Sequence, residues 1–332
     1  MKKVRWGLLG AARIGSVVVH ATRQSKVAHF AAVASRSSER AQHFAADHGL
    51  EESHGSYESL LASDGVDAIY VALPAALHAR WTIKALEAGK HVLCEKPFAC
   101  FADDVAKAFD LAEQAGLVCA EGFMYRHHPQ TALACRLVRD GAIGSLKQVR
   151  AALTVGIGEN DIRRVRALGG GALLDLGCYC VSAARLFGGK PERVFAEAAG
   201  EGADVDMRLA GTMCHPSEVF AQFDIGFDLP RRDELELIGT GGKIVIADPW
   251  LCRAPTIAVH RQDGKAELPV DPEHRFALDH GEHDVYRIEI DAISAAITGD
   301  TPLTFGRADA MDQIQVLDGL LRSSQQGQPV AL

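Results

Sequence analysis

The sequence lacks the marks of several common protein classes. Its eight cysteines, at 94, 100, 119, 135, 178, 180, 214 and 252, form no CxxC pair and fall mostly in apolar segments. No zinc site is expected from them, and they read as buried free thiols in a reducing cytoplasm. No run approaches the roughly 18 uninterrupted apolar residues of a membrane span, so no membrane partner is expected. The net charge of −8 argues against nucleic acid, because phosphate binding wants a basic surface. Internal repeats and low-complexity segments are also missing. Met1-Lys2-Lys3 followed by an apolar run has the outline of a signal peptide, but Gly7, Gly10, Arg13 and Gly15 interrupt it. A nucleotide-binding strand accounts for the run better.

A chain of 332 residues with 48% hydrophobic and 23% charged content is ordinary globular material, long enough for two domains. Up to residue 121 short apolar runs alternate with helical patterns. Val4 to Leu9, Ala28 to Ala34, Ala68 to Leu73, His91 to Cys94 and Leu117 to Ala120 read as strands. Ile14 to Gln24, Ser38 to His48, Leu77 to Ala88 and Asp103 to Ala115 read as helices. Continuous apolar strands separated by helices predict a doubly wound parallel sheet of Rossmann type. From 122 the rhythm changes. Helices are expected over Pro129 to Val138 and Ala172 to Phe187. Strands are expected over Ser145 to Val155, Arg193 to Ala199, Asp206 to Cys214, Glu218 to Phe227, Asp233 to Ile238 and Lys243 to Ala247. The fold class is therefore α/β, with a dinucleotide-binding domain over 1–121. An α+β domain over 122–332 carries a large, mostly antiparallel open sheet for substrate binding and oligomerisation. Apolar positions on both of its faces predict a homodimer or homotetramer through the open face. Helices around Val285 to Ala296 and about 308–322 are expected to pack back on the first domain, and Gln325 to Leu332 is a short tail.

Gly7-Leu8-Leu9-Gly10-Ala11-Ala12-Arg13-Ile14-Gly15 follows a strand and opens a helix, which is the setting of a dinucleotide fingerprint. Gly10 would make the turn, Gly15 would let the helix approach the strand, and the pyrophosphate would sit on the helix amino end beside Ala12, Arg13 and Ile14. Ala12 replaces the middle glycine. About 20 residues on, Ala34-Ser35-Arg36-Ser37 stands where an NAD enzyme usually carries a carboxylate. Arg36 can instead pair a 2′-phosphate, with Ser35 and Ser37 as hydroxyl donors and Arg40 one turn later, so the cofactor is read as NADP.

Glu95-Lys96-Pro97 closes the apolar run His91-Val92-Leu93-Cys94. A lysine at the carboxyl end of a buried strand points into the crevice where doubly wound sheets bind ligands, and it is costly to desolvate without a reacting group to serve. Gly169-Gly170-Gly171 then lets a backbone approach a ligand before a helix begins. In that helix Asp175 and Tyr179 are four apart and share a face. They suit proton transfer beside a hydride acceptor, or belong to a capped helix with a core tyrosine. An unperturbed tyrosine has a pKa of about 10, which a neighbouring lysine such as Lys96 would lower.

These three segments, in order and suitably spaced along essentially the whole chain, resemble the glucose–fructose oxidoreductase/inositol dehydrogenase (Gfo/Idh/MocA) family. Glu121-Gly122-Phe123-Met124-Tyr125-Arg126-His127-His128-Pro129-Gln130 is similar to a branch of NADP-dependent D-xylose 1-dehydrogenases and trans-1,2-dihydrobenzene-1,2-diol dehydrogenase. The resemblance implies Lys96 near the nicotinamide with a Lys96–Pro97 bond that can be cis, Tyr179 as general acid/base, and Asp175 orienting substrate and Tyr179. It implies cofactor contacts from Leu73, Pro74, His78, Glu95 and Arg126, and substrate contacts from Tyr125, Arg126 and Arg163. Ala75 departs from the asparagine that commonly follows the proline, and Val165-Arg166 from a more usual Asp-Pro.

The function so implied is hydride transfer between NADP and a hydroxyl-bearing carbon of a small polyhydroxylated substrate, a sugar or cyclic diol. A nucleotide-sugar ketoreductase or oxidoreductase with tightly held NADP is the alternative, and a non-catalytic NADP-sensing regulator is a third. His127 and His128 are open between site and structure. His274, His280 and His283, among Glu273, Asp279 and Glu282, lack helical ligand spacing and are not taken as a metal site. Trp250 borders the site or fills core.

Overall fold

Apolar runs bounded by turn residues become buried parallel strands when helices can cover both faces. The computed structural model describes residues 3–200 and 203–332, apart from the side chain of Glu282. Met1 and Lys2, which open the signal-like run, lie outside the described residues. The first sheet comprises β1 (Val4–Leu9), β2 (Ala28–Ala34), β3 (Glu52–His54), β4 (Ala68–Val71), β5 (His91–Glu95) and β6 (Cys119–Gly122). The helices between them are α1 (Arg13–Thr22), α2 (Ser38–His48), α3 (Tyr57–Leu61), α4 (His78–Glu87) and α5 (Ala102–Ala115). The order is β3-β2-β1-β4-β5-β6 and every pairing is parallel, so the sheet reverses direction of growth between β1 and β4. Two elements escaped the sequence pattern. β3 is three polar residues with no apolar run, and α3 is barely more than one turn.

The second half adds α6 (Pro129–Arg139), β7 (Leu146–Thr154), α7 (Cys178–Gly188), β8 (Arg193–Ala199), β9 (Arg208–His215) and β10 (Val219–Gly226). There follow β11 (Arg232–Gly239), β12 (Gly242–Ala247), β13 (Thr256–Arg261), β14 (Gly264–Pro269), α8 (Glu282–Thr298), α9 (Arg307–Gln326) and β15 (Val330–Ala331). The nine-stranded sheet has the order β14-β13-β12-β11-β7-β10-β9-β8-β15 and is antiparallel except where β7 pairs with β10. The hairpin β13–β14 was not anticipated, because Gly264-Lys265-Ala266-Glu267-Leu268-Pro269 is too polar to stand out. Nor was β15, within the segment expected to be a tail; Val330 pairs with Val194 at the sheet edge.

Burial alternates along the central strands, with Leu209 and Met213 inside and Arg208 outside on β9, and α7 lies against β7 and β10 on the inner side. The outer face is more polar than the sequence pattern suggested. A shallow groove of about 490 Å³ there is lined by Arg150, Glu197, Asp224, Arg232, Glu234 and Glu236, with Phe195 and Phe223 between them. The stretch Arg166–Gly188 is long and apolar enough to cross a membrane by length and composition, although Asp175 and Arg185 interrupt it; 67% of its apolar window is buried inside the protein, as in a core helix.

The chain forms two compact units, residues 1–124 with 283–311 and residues 125–282 with 312–332. In the first unit α8 covers the parallel sheet. Val285, Ile290 and Ile293 are buried, each such side chain contributing roughly 1.5–3 kcal/mol. The Trp6 indole N–H on β1 donates to Ser294 Oγ at 3.0 Å, and Ser25 Oγ–H to Asp291. The helix expected near 308–322 runs Arg307–Gln326 and is shared. Arg307 pairs with Asp110 and Glu113 in the first unit, while Gln313, Gln315 and Ser323 hydrogen-bond to Cys178, Lys190 and Ala196 in the second.

Candidate active site

In the first unit the turn after β1 makes a cleft where the strand order reverses. Gly10 has φ +105°, a region that L side chains rarely adopt, and a Cβ there would stand 2.6 Å from the Ala72 carbonyl oxygen. Only glycine brings β1 this close to the end of β4. A Cβ on Gly15 would meet Leu8 Cδ2 at 2.6 Å, so that glycine seats α1 on its strand. Ala12 is the extended N-cap of α1, with no side-chain cap and no acidic residue in the first turn. The N–H groups opening the helix therefore keep their affinity for an anion.

That cleft, of about 470 Å³, joins Gly10 and Ala12 to Ser35, Arg36, Ser37, Arg40, Leu73 and Pro74. Ser37 Oγ accepts the Arg40 N–H at 3.3 Å as the cap of α2, and Arg40 Nη2 reaches the Ala11 carbonyl at 3.2 Å. Tyr57, which sequence reasoning missed, also lines it. Its ring meets Trp81 edge-on at 4.7 Å, and Arg36 and Arg40 lie beside its hydroxyl. Arg13 and Ile14 begin α1 but do not line the cleft.

The turn after β5 is tied from three sides. The Lys96–Pro97 peptide bond is cis. Glu95 Oε1 accepts the Tyr70 hydroxyl proton at 2.5 Å, and its Oε2 accepts the Lys96 N–H at 3.2 Å. Glu121 Oε1 accepts the Phe98 N–H at 2.8 Å. His78 is 2% exposed, and its two ring nitrogens each lie 2.7 Å from a carbonyl, Pro97 O and Leu73 O. Burial lowers its pKa against the pull of both carbonyls. His78 is thus a staple joining the loop after β4 to the lysine turn, rather than a group facing the groove. Lys96 itself is half-buried.

In the second unit Tyr125 and Arg126 lie in a buried 3-10 turn, Met124–His127, and the next residue is structural: His128 Nδ1 accepts the Gln130 N–H to cap α6. The glycine run has a specific use. A Cβ on Gly170 would collide with the Arg163 carbonyl, and Gly171, at φ +125°, donates its N–H to that same oxygen at 2.9 Å. These glycines let the backbone approach the chain's own loop closely, a use that the sequence pattern did not suggest.

Residues Leu173–Gly177 then form a π-helical turn before α7, so Asp175 sits in a widened turn rather than the regular helix assumed from sequence. Asp206 Oδ2 accepts the Leu173 N–H at 2.7 Å there, and burial raises its pKa to about 6. Arg163 forks Asp161 at 3.0 and 2.8 Å, reaches Asp175 Oδ2 at 3.3 Å and lies over the Phe227 ring at 5.5 Å.

Tyr179, 8% exposed, packs in a triangle with two other rings. Trp250 is 5.6 Å away and Tyr125 6.1 Å, and those two meet edge-on at 5.5 Å. Tyr125 Oη shares a hydrogen bond with Ser182 Oγ at 2.8 Å, which holds its ring in place. Arg231, also missed, forks Asp233 at 2.6 and 2.7 Å; that bond favours its charge most, and Tyr179 adds to it. An apolar aromatic wall with one phenol and a clamped arginine–carboxylate pair suits a hydroxylated ring.

Residues 4–123 match a family model described as "Oxidoreductase family, NAD-binding Rossmann fold", and residues 131–245 match a "GFO/IDH/MocA C-terminal domain". The chain is 37% identical to a D-xylose 1-dehydrogenase (NADP(+)) of Haloferax volcanii, over 98% of this chain and 99% of the other. It is 31% identical to the trans-1,2-dihydrobenzene-1,2-diol dehydrogenase of Homo sapiens, over 81% of each. Its structure resembles that of a 3-ketoreductase from Actinomadura kijaniata in complex with NADP and TDP-benzene, with a TM-score of 0.87, 31% identity and coverage of 97% and 98%.

Proposed function

The chain belongs to the Gfo/Idh/MocA oxidoreductase family, and from that premise we propose that it moves a hydride between NADP and a hydroxyl-bearing carbon of a sugar or cyclic diol. The observation that carries the cofactor reading is the cleft at the end of β2: Ser35, Arg36, Ser37 and Arg40 line it, and Glu39 is absent from its lining. An arginine fork and hydroxyl donors match a 2′-phosphate, while the uncapped start of α1 matches the pyrophosphate. When bound, NADP supplies the hydride acceptor or donor. Tyr179 takes the proton of the reacting hydroxyl at its phenolic oxygen. Lys96 polarises the oxygen of the reacting hydroxyl and stabilises the negative charge developing on it. Asp175 and Arg163 orient the neighbouring hydroxyls, and Trp250 and Tyr125 exclude water from one side of the phenol.

A second reading is supported by the likeness to the 3-ketoreductase: a nucleotide-sugar reductase that keeps its NADP. An exchangeable nucleotide and turnover on free aldoses or diols favour the dehydrogenase; retained NADP and turnover only on TDP-linked keto sugars favour the reductase.

Two finer features complete the proposal. The outer sheet face, with charges of both signs and Phe220 at 52% exposure, supports a homo-oligomer, and eight free thiols support a cytoplasmic setting. A monomeric mass in sedimentation equilibrium, or export to an oxidising compartment on fractionation, would remove the respective support.

Tyr179→Phe is expected to lower kcat about 10²–10⁴-fold, the usual share of general acid–base catalysis, with NADP affinity nearly unchanged. A loss below threefold would sink the assigned role. Arg36→Asp is expected to weaken NADP at least about tenfold in a fluorescence titration and NAD far less, because only the former loses a charge-assisted fork. Equal loss of both would refute the 2′-phosphate reading.

A further inference from the structure

The helix that carries Asp175 and Tyr179 does not cap itself. It opens at Ala172, which offers no side-chain acceptor, and passes at once into the π turn Leu173–Gly177. The first N–H groups of a helix need partners from outside it. A π turn is rare, and where it interrupts an α-helix it often marks a functional site.

The cap comes from Asp206, 33 residues beyond Leu173. Its Oδ2 accepts the Leu173 N–H at 2.7 Å, and its backbone carbonyl accepts the Ala172 N–H at 2.9 Å. Gly171 completes the seat, because a Cβ there would stand 2.3 Å from Asp206 Oδ1. Three consecutive residues at the helix start thus meet one aspartate, through two hydrogen bonds and one close approach. Asp206 is itself held by the sheet. Val205 and Met207 on either side are buried, so strand-like alternation turns the aspartate the other way. The Met207 N–H donates to Ala199 O at 3.0 Å, and its carbonyl accepts the Phe227 N–H at 2.8 Å.

The helix start is tied in turn to the loop that precedes it. Gly171 donates its N–H to the Arg163 carbonyl at 2.9 Å, and the Arg163 guanidinium reaches Asp175 Oδ2 at 3.3 Å. The Asp175 N–H donates to Gly171 O at 3.1 Å. A shift of Gly171 therefore moves both ends of the Arg163–Asp175 pair. A second clip lies beside the first: Asp204 Oδ2 accepts the Arg166 N–H at 2.8 Å, and Oδ1 meets the Arg166 Nε at 3.4 Å. A proline at 166 would have no such N–H. Both members of that clip are exposed, so the half-buried Asp206 is the stronger tie.

We propose that Asp206 is a positioning residue: it caps this helix in trans and so fixes the direction in which Asp175, paired with Arg163, meets the hydroxyls of the substrate. The proposal deepens the function proposed above and rests on it for the role of Asp175. The cap itself is measurable without turnover. Asp206 offers Leu173 an acceptor oxygen whether or not it carries a proton, and so does an asparagine amide of the same shape. Alanine offers none.

The test uses the full chain as wild type, Asp206→Asn and Asp206→Ala. Hydrogen exchange of the 172–177 amides by mass spectrometry and NADPH affinity by fluorescence are recorded for each. With them go kcat and KM on D-xylose, replaced by a cyclic diol or a TDP-linked keto sugar if D-xylose does not react. In Ala the amides should exchange at least about tenfold faster and KM should rise about tenfold, with kcat within about threefold and NADPH affinity within about twofold of wild type. The nucleotide cleft belongs to the first unit, so its affinity should not move. Asn should stay within about twofold of wild type in every measurement. Should Ala fail to fold, Asp206→Glu makes the same test, because its longer side chain cannot keep the carboxyl in the seat over Gly171. Unchanged exchange in the folded variant would overturn the cap. Unchanged KM there, or an Asn variant as impaired as Ala, would overturn the positioning role. If the exchange pattern appears while the wild type turns over no sugar, diol or keto sugar, the oxidoreductase reading fails and the cap stands.

Discussion

A half-buried carboxylate at the end of β5 is the constraint around which the first unit is organised. Glu95 fixes where Lys96 begins, and almost every unusual residue nearby serves that turn. Tyr70, a phenol in the middle of a buried strand, exists to donate to it at 2.5 Å. His78 pins Pro97 to Leu73, and Glu121 pins Phe98, so the backbone on either side of the cis bond has no freedom to drift. Polar groups so deeply buried cost free energy unless each finds a partner, and satisfied networks of this kind specify one geometry. The same turn lies two strands from the glycine that opens the nucleotide cleft, on the same edge of one parallel sheet.

The second unit achieves rigidity by different means. Its phenol is held by rings rather than by ions: Tyr125 and Trp250 flank Tyr179, and Ser182 locks Tyr125. Its charges are paired before any ligand arrives, since Arg163 is divided between Asp161 and Asp175. A site that is organised in advance spends less binding energy on ordering its own side chains.

Much of this was legible from sequence because the signals were local. β1, β2 and α2 appear with the boundaries their apolar runs and the Ser37 cap imply. The first glycine turn could be placed because strand, glycine and helix follow one another without interruption. What stayed hidden depends on distance along the chain. Nothing near Tyr57 announces that Arg36 will lie beside its hydroxyl. The three consecutive glycines were visible, yet one use of them was not: Gly170 makes room for the Arg163 carbonyl and Gly171 for the Asp206 carboxylate. Helical spacing likewise suggested a plain four-residue interval for Asp175 and Tyr179, whereas a π turn intervenes and re-aims the acid. Local pattern thus locates candidate chemistry, and non-local packing decides which way it points.

The central claim is that one amine and one phenol act on the same oxygen beside a bound dinucleotide. A crystal structure of the protein with NADP and a bound sugar or diol measures this directly. The account predicts Lys96 Nζ and Tyr179 Oη both within about 3.2 Å of a single substrate hydroxyl oxygen. Either atom lying more than about 6 Å from that oxygen, with the reacting carbon at the nicotinamide, would contradict it.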